Sequence, residues 1–288
     1  MELWYTEKHT ENVHFSIKVV KQLYSATSPF QQIDFFQSEE FGTFFTLDGL
    51  MMVTEKDEFM YHDMITHVPM AVRPDARHAL VIGGGDGGTV RELTRYPSLE
   101  TIDMVEIDEM VVRACQQYLP LTASQLDKDP RISLFFEDGI AFIKKVQKQY
   151  DVILVDSTDP IGPGEGLFTL DFYRDCYDHL TENGILVNQH ESPYYKRDST
   201  AMQKAHQKMK TVFPISRVYQ YNIPTYPSGH WLFGFASKKL DPIRNAQFDA
   251  WRKLGLKTRY YNPELHVGCF ALPTYVQELL NQKIDLTE

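Results

Sequence analysis

Five short apolar runs in this 288-residue chain each give way to a polar site, and at four of the five that site is acidic. The sites are Asp86, Glu106, the pair Glu137–Asp138, Asp156, and the stretch Gln189–Glu191. Clustered carboxylates can bind a divalent metal, hold a polyamine, or act as general bases. A metal is disfavoured, because no histidine groups with these positions; His62 and His190 stand alone and read as packed or surface histidines. Taken singly, an aspartate at a strand end can be no more than an N-cap for the next helix. A whole rim of them suggests cation chemistry.

Asp156 has a further feature. It opens DSTDPIGPGEGLF, whose two prolines and three glycines make a loop of the kind that closes over a site, with Asp159 at its entrance. A primary amine resembles lysine, so neutralising it at pH 7 costs roughly 4–5 kcal/mol. A carboxylate within reach, shielded from water, can take that proton as the amine attacks. A sulfonium electrophile would add a second positive charge, calling for negative charge around both. Asp86, Asp156, Asp159 and Glu191 are placed to supply it.

Asp86 lies inside HALVIGGGDGGTV, His78–Val90. There an apolar run enters a glycine-crowded turn and a helix opens, leaving N–H groups for a ligand. Glu106 ends the next apolar run, where a nucleoside-binding fold places the carboxylate that holds ribose hydroxyls. A negative charge within the turn opposes a pyrophosphate. The expected ligand is therefore a nucleoside carrying positive charge.

The elements that must position these groups alternate. Strands are expected at Ala79–Ile82, Thr101–Glu106, Ile132–Phe136, Val152–Asp156 and Ile185–Gln189. Helices are expected at Thr89–Tyr96, Glu109–Tyr118, Ile140–Lys145, Asp171–His179 and Ser199–Val212. Such units imply an α/β fold with a mostly parallel sheet and helices on both faces, binding ligands at the strands' C-terminal ends. Before them, strands Gln31–Gln37, Gly42–Leu47 and Leu50–Thr54 are expected, with a hairpin turn at Asp48-Gly49. A helix from Lys56 to Val68 should end before Pro69. The chain then divides into a small β domain, 1–58, and a catalytic domain, 59–288.

Composition sets outer bounds. A formal net charge of −10 makes nucleic acid a poor default partner and suits cationic small molecules. Three widely spaced cysteines form neither a metal-ligand pattern nor a disulfide framework. With no apolar leader and no apolar run of membrane-spanning length, a cytoplasmic protein with no membrane partner is expected. The exposed edges of a small β domain suggest self-association.

Beyond these motifs, eight ordered segments resemble the polyamine aminopropyltransferase family across nearly the whole chain. They are LDGLMMVTEKDEFMYHDMITHVP, VIGGGDGG, MVEID, FEDGIAF, VDSTDPIGPGEGLF, NQHESP, IPTYPSG and YYNPELH. The resemblance implies a small N-terminal β domain before a Rossmann-like methyltransferase fold. It implies aminopropyl transfer from decarboxylated S-adenosylmethionine to putrescine, giving spermidine and 5′-methylthioadenosine. The donor is then a co-substrate, and no cofactor or metal is implied.

By the same resemblance, Asp156 is the proton acceptor. Gln31, Asp86, Glu106, Asp138, Gly139 and Pro163 fall at nucleoside or aminopropyl-donor positions. Tyr61, His62, Asp86, Asp156, Ser157, Thr158, Asp159, Gln189, Glu191 and Tyr226 fall along a polyamine channel. A homodimer or homotetramer is implied. Ordinary S-adenosylmethionine carries a carboxylate that Asp86 would repel, which favours the decarboxylated donor. The alternatives are an amine N-methyltransferase, or transfer to another acceptor such as agmatine, cadaverine or spermidine. His190 has no role in this reading.

Overall fold

The computed structural model describes residues 2–158 and 162–285; Asp159 lies outside them. The first six strands are β1 (Leu3–Thr10), β2 (Val13–Val19), β3 (Lys21–Thr27), β4 (Gln32–Ser38), β5 (Gly42–Leu47) and β6 (Leu50–Thr54). They form an antiparallel β1–β2 ribbon and a four-stranded antiparallel sheet in the order β3-β4-β5-β6. At the β5–β6 turn Asp48 and Gly49 both take positive φ, 49° and 79°, the geometry that tightens a two-residue hairpin. The expected turn is present, and β1–β3 add strands that the sequence did not resolve singly.

Next come α1 (Glu58–Val72), β7 (His78–Gly83), α2 (Gly88–Thr94), β8 (Thr101–Glu106), α3 (Glu109–Tyr118), β9 (Ile132–Phe136), α4 (Gly139–Lys145) and β10 (Tyr150–Asp156). A 3₁₀ turn at Gly162–Phe168 leads into α5 (Leu170–His179), β11 (Leu180–Gln189) and α6 (Lys196–Val212). The chain ends with β12 (Ile215–Asn222), β13 (His230–Ser237), α7 (Phe248–Lys253), α8 (Pro263–Gly268) and α9 (Thr274–Asn281).

Seven strands form the main sheet in the order β12-β13-β11-β10-β7-β8-β9. The five from β9 to β11 pair parallel, and β13 runs against its neighbours. The central strands carry continuous apolar runs, Ala79–Ile82 in β7 and Val152–Val155 in β10, because both faces are covered. Ala79 and Val81 of β7 pack into one core with Met64 of α1, Val90 of α2 and Val112 of α3. Leu80 and Ile82 pack into the other, with Phe142 of α4, Phe172 of α5 and Met209 of α6. β7 feeds β8 on one side and meets β10 on the other, so a crevice opens at its C-terminal end.

Three expectations need correcting. The helix expected to stop before Pro69 runs to Val72, with Pro69 in its final turn. The lost N–H costs one bond, and burial around nearly all of α1 outweighs it. β11 starts at Leu180 rather than Ile185, because a bulge takes up the polar residues between them. Two strands and three helices follow α6, where the expected series had ended.

The turn after β7 depends on close approach. Gly83 takes φ +84°, and a Cβ there would lie 2.1 Å from the carbonyl oxygen of Asp156. The next amide, Gly84 N, donates to that same carbonyl at 2.7 Å. Gly83→Ala should therefore cost at least ~2 kcal/mol through strain and overpacking together, read as a lower urea midpoint with an unchanged slope.

Candidate active site

A cavity opens at the crevice and is walled by both parts of the chain. Its floor is Gly83–Asp86, and Glu106, Asp138, Gly139 and Asp156 enter from the ends of neighbouring strands. Gln31, reaching over from the β3–β4 connection, also lines it and donates to Asp108 at 3.0 Å. On the other side stand Tyr61, His62, Ser157, Thr158, Gln189 and Tyr226. Glu191 is buried beside this wall, accepting from Gln189 at 3.2 Å, and holds a left-handed backbone with φ 69°. Asp159 and the Pro163 side chain lie outside the described residues. His190 is buried away from the cavity, with Nδ1 on the Asn188 side-chain oxygen.

One strand-end carboxylate does cap: Asp138 accepts from Ile140 N at the start of α4. Asp86 precedes the Gly87 cap of α2 and accepts from Gly88 N at 2.7 Å. One of the N–H groups expected to await a ligand in the glycine turn is therefore taken by Asp86 itself. That bond fixes the carboxylate, and Asp86 remains in the cavity wall.

His62 overturns the expectation that it stands alone. Its ring is buried in direct contact with two carboxylates: Nε2 lies 3.1 Å from Asp86 Oδ1, and Nδ1 lies 2.5 Å from Glu58 Oε2. Asp156 completes the group, with one ligand-type atom of each of His62, Asp86 and Asp156 within 4.8 Å of the others. Carboxylates facing both ring nitrogens call for imidazolium, which carries a proton on each. A ring so engaged has no lone pair for a metal, and the group reads as an ion cluster.

Burial and charge push the two aspartates apart. Burial would raise the Asp86 carboxyl, but the His62 charge and hydrogen bonds outweigh it and bring it below the usual range. Asp156 is raised, first by burial and then by the Asp86 charge, against the pull of His62 and the Thr89 hydroxyl, which donates at 2.6 Å. The Tyr61 hydroxyl, facing Asp156, is buried without a hydrogen-bond partner among the described residues. Glu106 is pushed up to about 7 by burial, although Asp108 N donates to it at 3.0 Å.

A row of alternating charges backs this cluster. Arg91 grips both oxygens of Glu58, at 3.0 and 2.9 Å, and reaches Glu92 through Nε at 3.0 Å. Glu92 meets His67 at 3.1 Å, and His67 in turn faces Asp63 at 3.5 Å. Asp63 accepts three backbone N–H bonds from Arg259, Tyr260 and Tyr261. Of these, the pairs Glu58–His62 and Asp63–His67 stand i, i+4 on one helix, a signal that could have found them and that the reading of His62 as isolated missed, whereas the α2 partners leave none. Glu7 and His9 also reach the cavity from β1; their i, i+2 alternation is the signal that could have found them.

Two family models match consecutive parts of the chain: a spermidine synthase tetramerisation domain over residues 3–55, and a spermine/spermidine synthase domain over 58–247. The chain belongs to the spermine/spermidine synthase family. The family's curated members include a polyamine aminopropyltransferase of Clostridium perfringens, 68% identical over 97% of this chain and 98% of that one. Among solved structures, the spermidine synthase of Thermotoga maritima superposes with TM-score 0.92 at 43% identity, covering 96% of this chain and 94% of the other. A spermidine synthase in complex with the transition-state analogue AdoDATO superposes with TM-score 0.93 at the same identity and coverage. The fold is thus the expected one, a small β portion before a Rossmann-like sheet. Among the described residues no helix is long and apolar enough to cross a membrane.

The ion cluster also shapes acid stability. Burial alone would raise the Glu58 carboxyl, but His62 and Arg91 bring it down to about 2. A carboxylate depressed on folding contributes stability above its unfolded value, here 4.5, and loses it as pH falls through about 2. Urea titrations should show this part of the stability, ~3 kcal/mol, disappearing across that window, and Glu58→Gln should flatten the acid limb.

Proposed function

We propose that this protein is a spermidine synthase, transferring the aminopropyl group of decarboxylated S-adenosylmethionine to putrescine. The observation that carries this reading is the opposed pair of aspartates in one buried site. Asp86, ionised and fixed by Gly88 N, suits an ammonium that keeps its proton through the reaction, such as the donor's aminopropyl end. Asp156, with its proton affinity raised, suits a base that must accept a proton from an attacking amine. The C. perfringens relative's name and the analogue-bound neighbour support the same chemistry.

The sequence of events follows from these groups. Glu106 and Gln31 hold the nucleoside, with Asp138 and Gly139 beside its base, and Asp86 anchors the aminopropyl ammonium. Putrescine enters between Tyr61 and Tyr226, its distal ammonium toward Gln189 and Glu191. Asp156 takes a proton from the near amine as its lone pair attacks the aminopropyl carbon bonded to sulfur. The C–N bond forms and the C–S bond breaks, and the pair from that bond neutralises the sulfonium. Methylthioadenosine leaves uncharged. A methyl donor that kept its carboxylate would bring a negative charge toward Asp86, which disfavours methyl transfer. The match of residues 3–55 to a tetramerisation domain supports an oligomer.

Asp156→Asn should lower kcat roughly 10²–10⁴-fold, measured as methylthioadenosine release, while donor binding persists. A fully active Asp156→Asn enzyme would overturn the base assignment. Glu106 yields a second outcome. Ribose hydroxyls donate to its ionised form, so nucleoside affinity should fall as pH drops through about 7. Calorimetry should find methylthioadenosine about tenfold weaker at pH ~6 than at pH ~8, a dependence that Glu106→Gln abolishes.

A further inference from the structure

His62 sits where three elements converge, and each presents a charge to it. From its own helix α1 come Glu58, one turn earlier at Nδ1, and Tyr61, edge-on at 5.4 Å. From the turn between β7 and α2 comes Asp86, and from the end of β10 comes Asp156. From α2, Arg91 stands behind Glu58 with both guanidinium NH groups on the carboxylate. Gly88 packs so closely that a Cβ there would lie 2.2 Å from the ring. Nε2 lies 3.1 Å from Asp86 Oδ1, buried but not aligned in a hydrogen bond, and an Asp156 carboxylate oxygen lies within 4.8 Å of the ring nitrogens and of Asp86. The donor is therefore available in the gap between them.

We propose that Glu58 and Arg91 are positioning residues for the transfer, holding the His62 ring as a cation with its Nε2 donor fixed between Asp86 and Asp156. The proposal rests on reading those two aspartates as the pair that handles the amines. A neutral ring would turn a lone pair toward one carboxylate at either nitrogen, so the Glu58 charge at Nδ1 is what makes the doubly protonated ring the stable form. Arg91 in turn keeps Glu58 ionised and immobile, because its fork matches both oxygens. The cation separates two buried negative charges and leaves one net negative charge in the group. That net charge attracts an incoming amine without binding it as tightly as two bare carboxylates would.

The two substitutions have opposite consequences for the ring. Glu58→Gln keeps an acceptor beside Nδ1 but removes the charge, so His62 should release its proton at a lower pH. Arg91→Gln removes a cation that competes for Glu58, so His62 should stay protonated while Glu58 loosens. The probe is ¹³C-histidine NMR on the whole, substrate-free protein, with His62→Gln identifying the resonance, beside a pH profile of methylthioadenosine release. In the unaltered protein His62 should stay protonated well above the ordinary imidazole range. Glu58→Gln should lower its midpoint and move a limb of the pH profile with it. Arg91→Gln should leave the ring protonated and raise KM for the amine about tenfold, with partial recovery in Arg91→Lys.

An unmoved His62 resonance in Glu58→Gln overturns the proposal, as does a midpoint moved downward by both variants, which is what a merely structural network would produce. If Glu58→Gln does not fold, Arg91→Gln decides by the same ring titration and the KM it leaves. Because the titration is read without substrate, a protein that releases no methylthioadenosine defeats the functional reading and with it the link to transfer, whereas an unmoved ring titration defeats the positioning by Glu58 alone.

Discussion

The mutual repulsion of Asp86 and Asp156 is the constraint around which the site is organised. Two carboxylates buried this close cannot both ionise without a cation between them. The chain supplies one from α1, the His62 ring, and asymmetry follows. Asp86 receives the ring's proximity and a backbone N–H and stays charged. Asp156 receives a threonine hydroxyl and the neighbouring negative charge, and its proton affinity rises. Residues of one chemical type thereby acquire different capacities from their surroundings alone.

That arrangement makes demands on the scaffold. α1 must carry charge through a region where almost every side chain is buried, so its polar residues are satisfied in series, from His62 through Glu58, Arg91 and Glu92 to His67 and Asp63. Each cation faces at least one anion, and the last carboxylate ends on backbone N–H groups of residues 259–261. The C-terminal segment is thereby tied to the catalytic end of the sheet. A second tie comes from Asp57, which accepts from the backbone and hydroxyl of Thr225 and holds the loop bearing Tyr226 against the start of α1.

Legibility in the sequence tracked periodicity. The parallel strands were readable because burial on both faces makes them continuous apolar runs, and Asp48-Gly49 because positive φ at both turn positions favours those residues. α1 was misread at Pro69, since a local breaker was outweighed by tertiary burial. β11 was misread at its start, since a bulge hides polar residues inside a strand. At the site, Asp86, Glu106, Asp138 and Asp156 were legible from their places at strand ends. Arg91 and Glu92 were not, because their relation to the cavity depends on which helix packs against it, and the alternation of Glu7 and His9 marks a strand face without saying where the ribbon packs. That is long-range information no local pattern carries. His62 shows the limit most clearly: its sequence neighbour Glu58 is one helical turn away, but the two aspartates it faces come from separate strand ends.

The cavity's composition from two parts of the chain has a physical consequence of its own. Gln31, Glu7 and His9 reach it from the antiparallel strands, while the aspartates come from the parallel sheet. Glu7 and Asp198 flank His9 at 3.4 and 3.0 Å, and these two partners outweigh burial to hold its ring up at about 9. Because Asp198 opens α6, this buried ion cluster joins the first strand to a helix packed on the far face of the sheet. Breaking it would leave uncompensated charge in a site with little water to receive it. The wall is thus held by the same device as the centre: an imidazolium between carboxylates from separate elements. An enclosed cavity for cations can tolerate so many buried anions only while cations already in the fold stand among them, and in both clusters histidine fills that place.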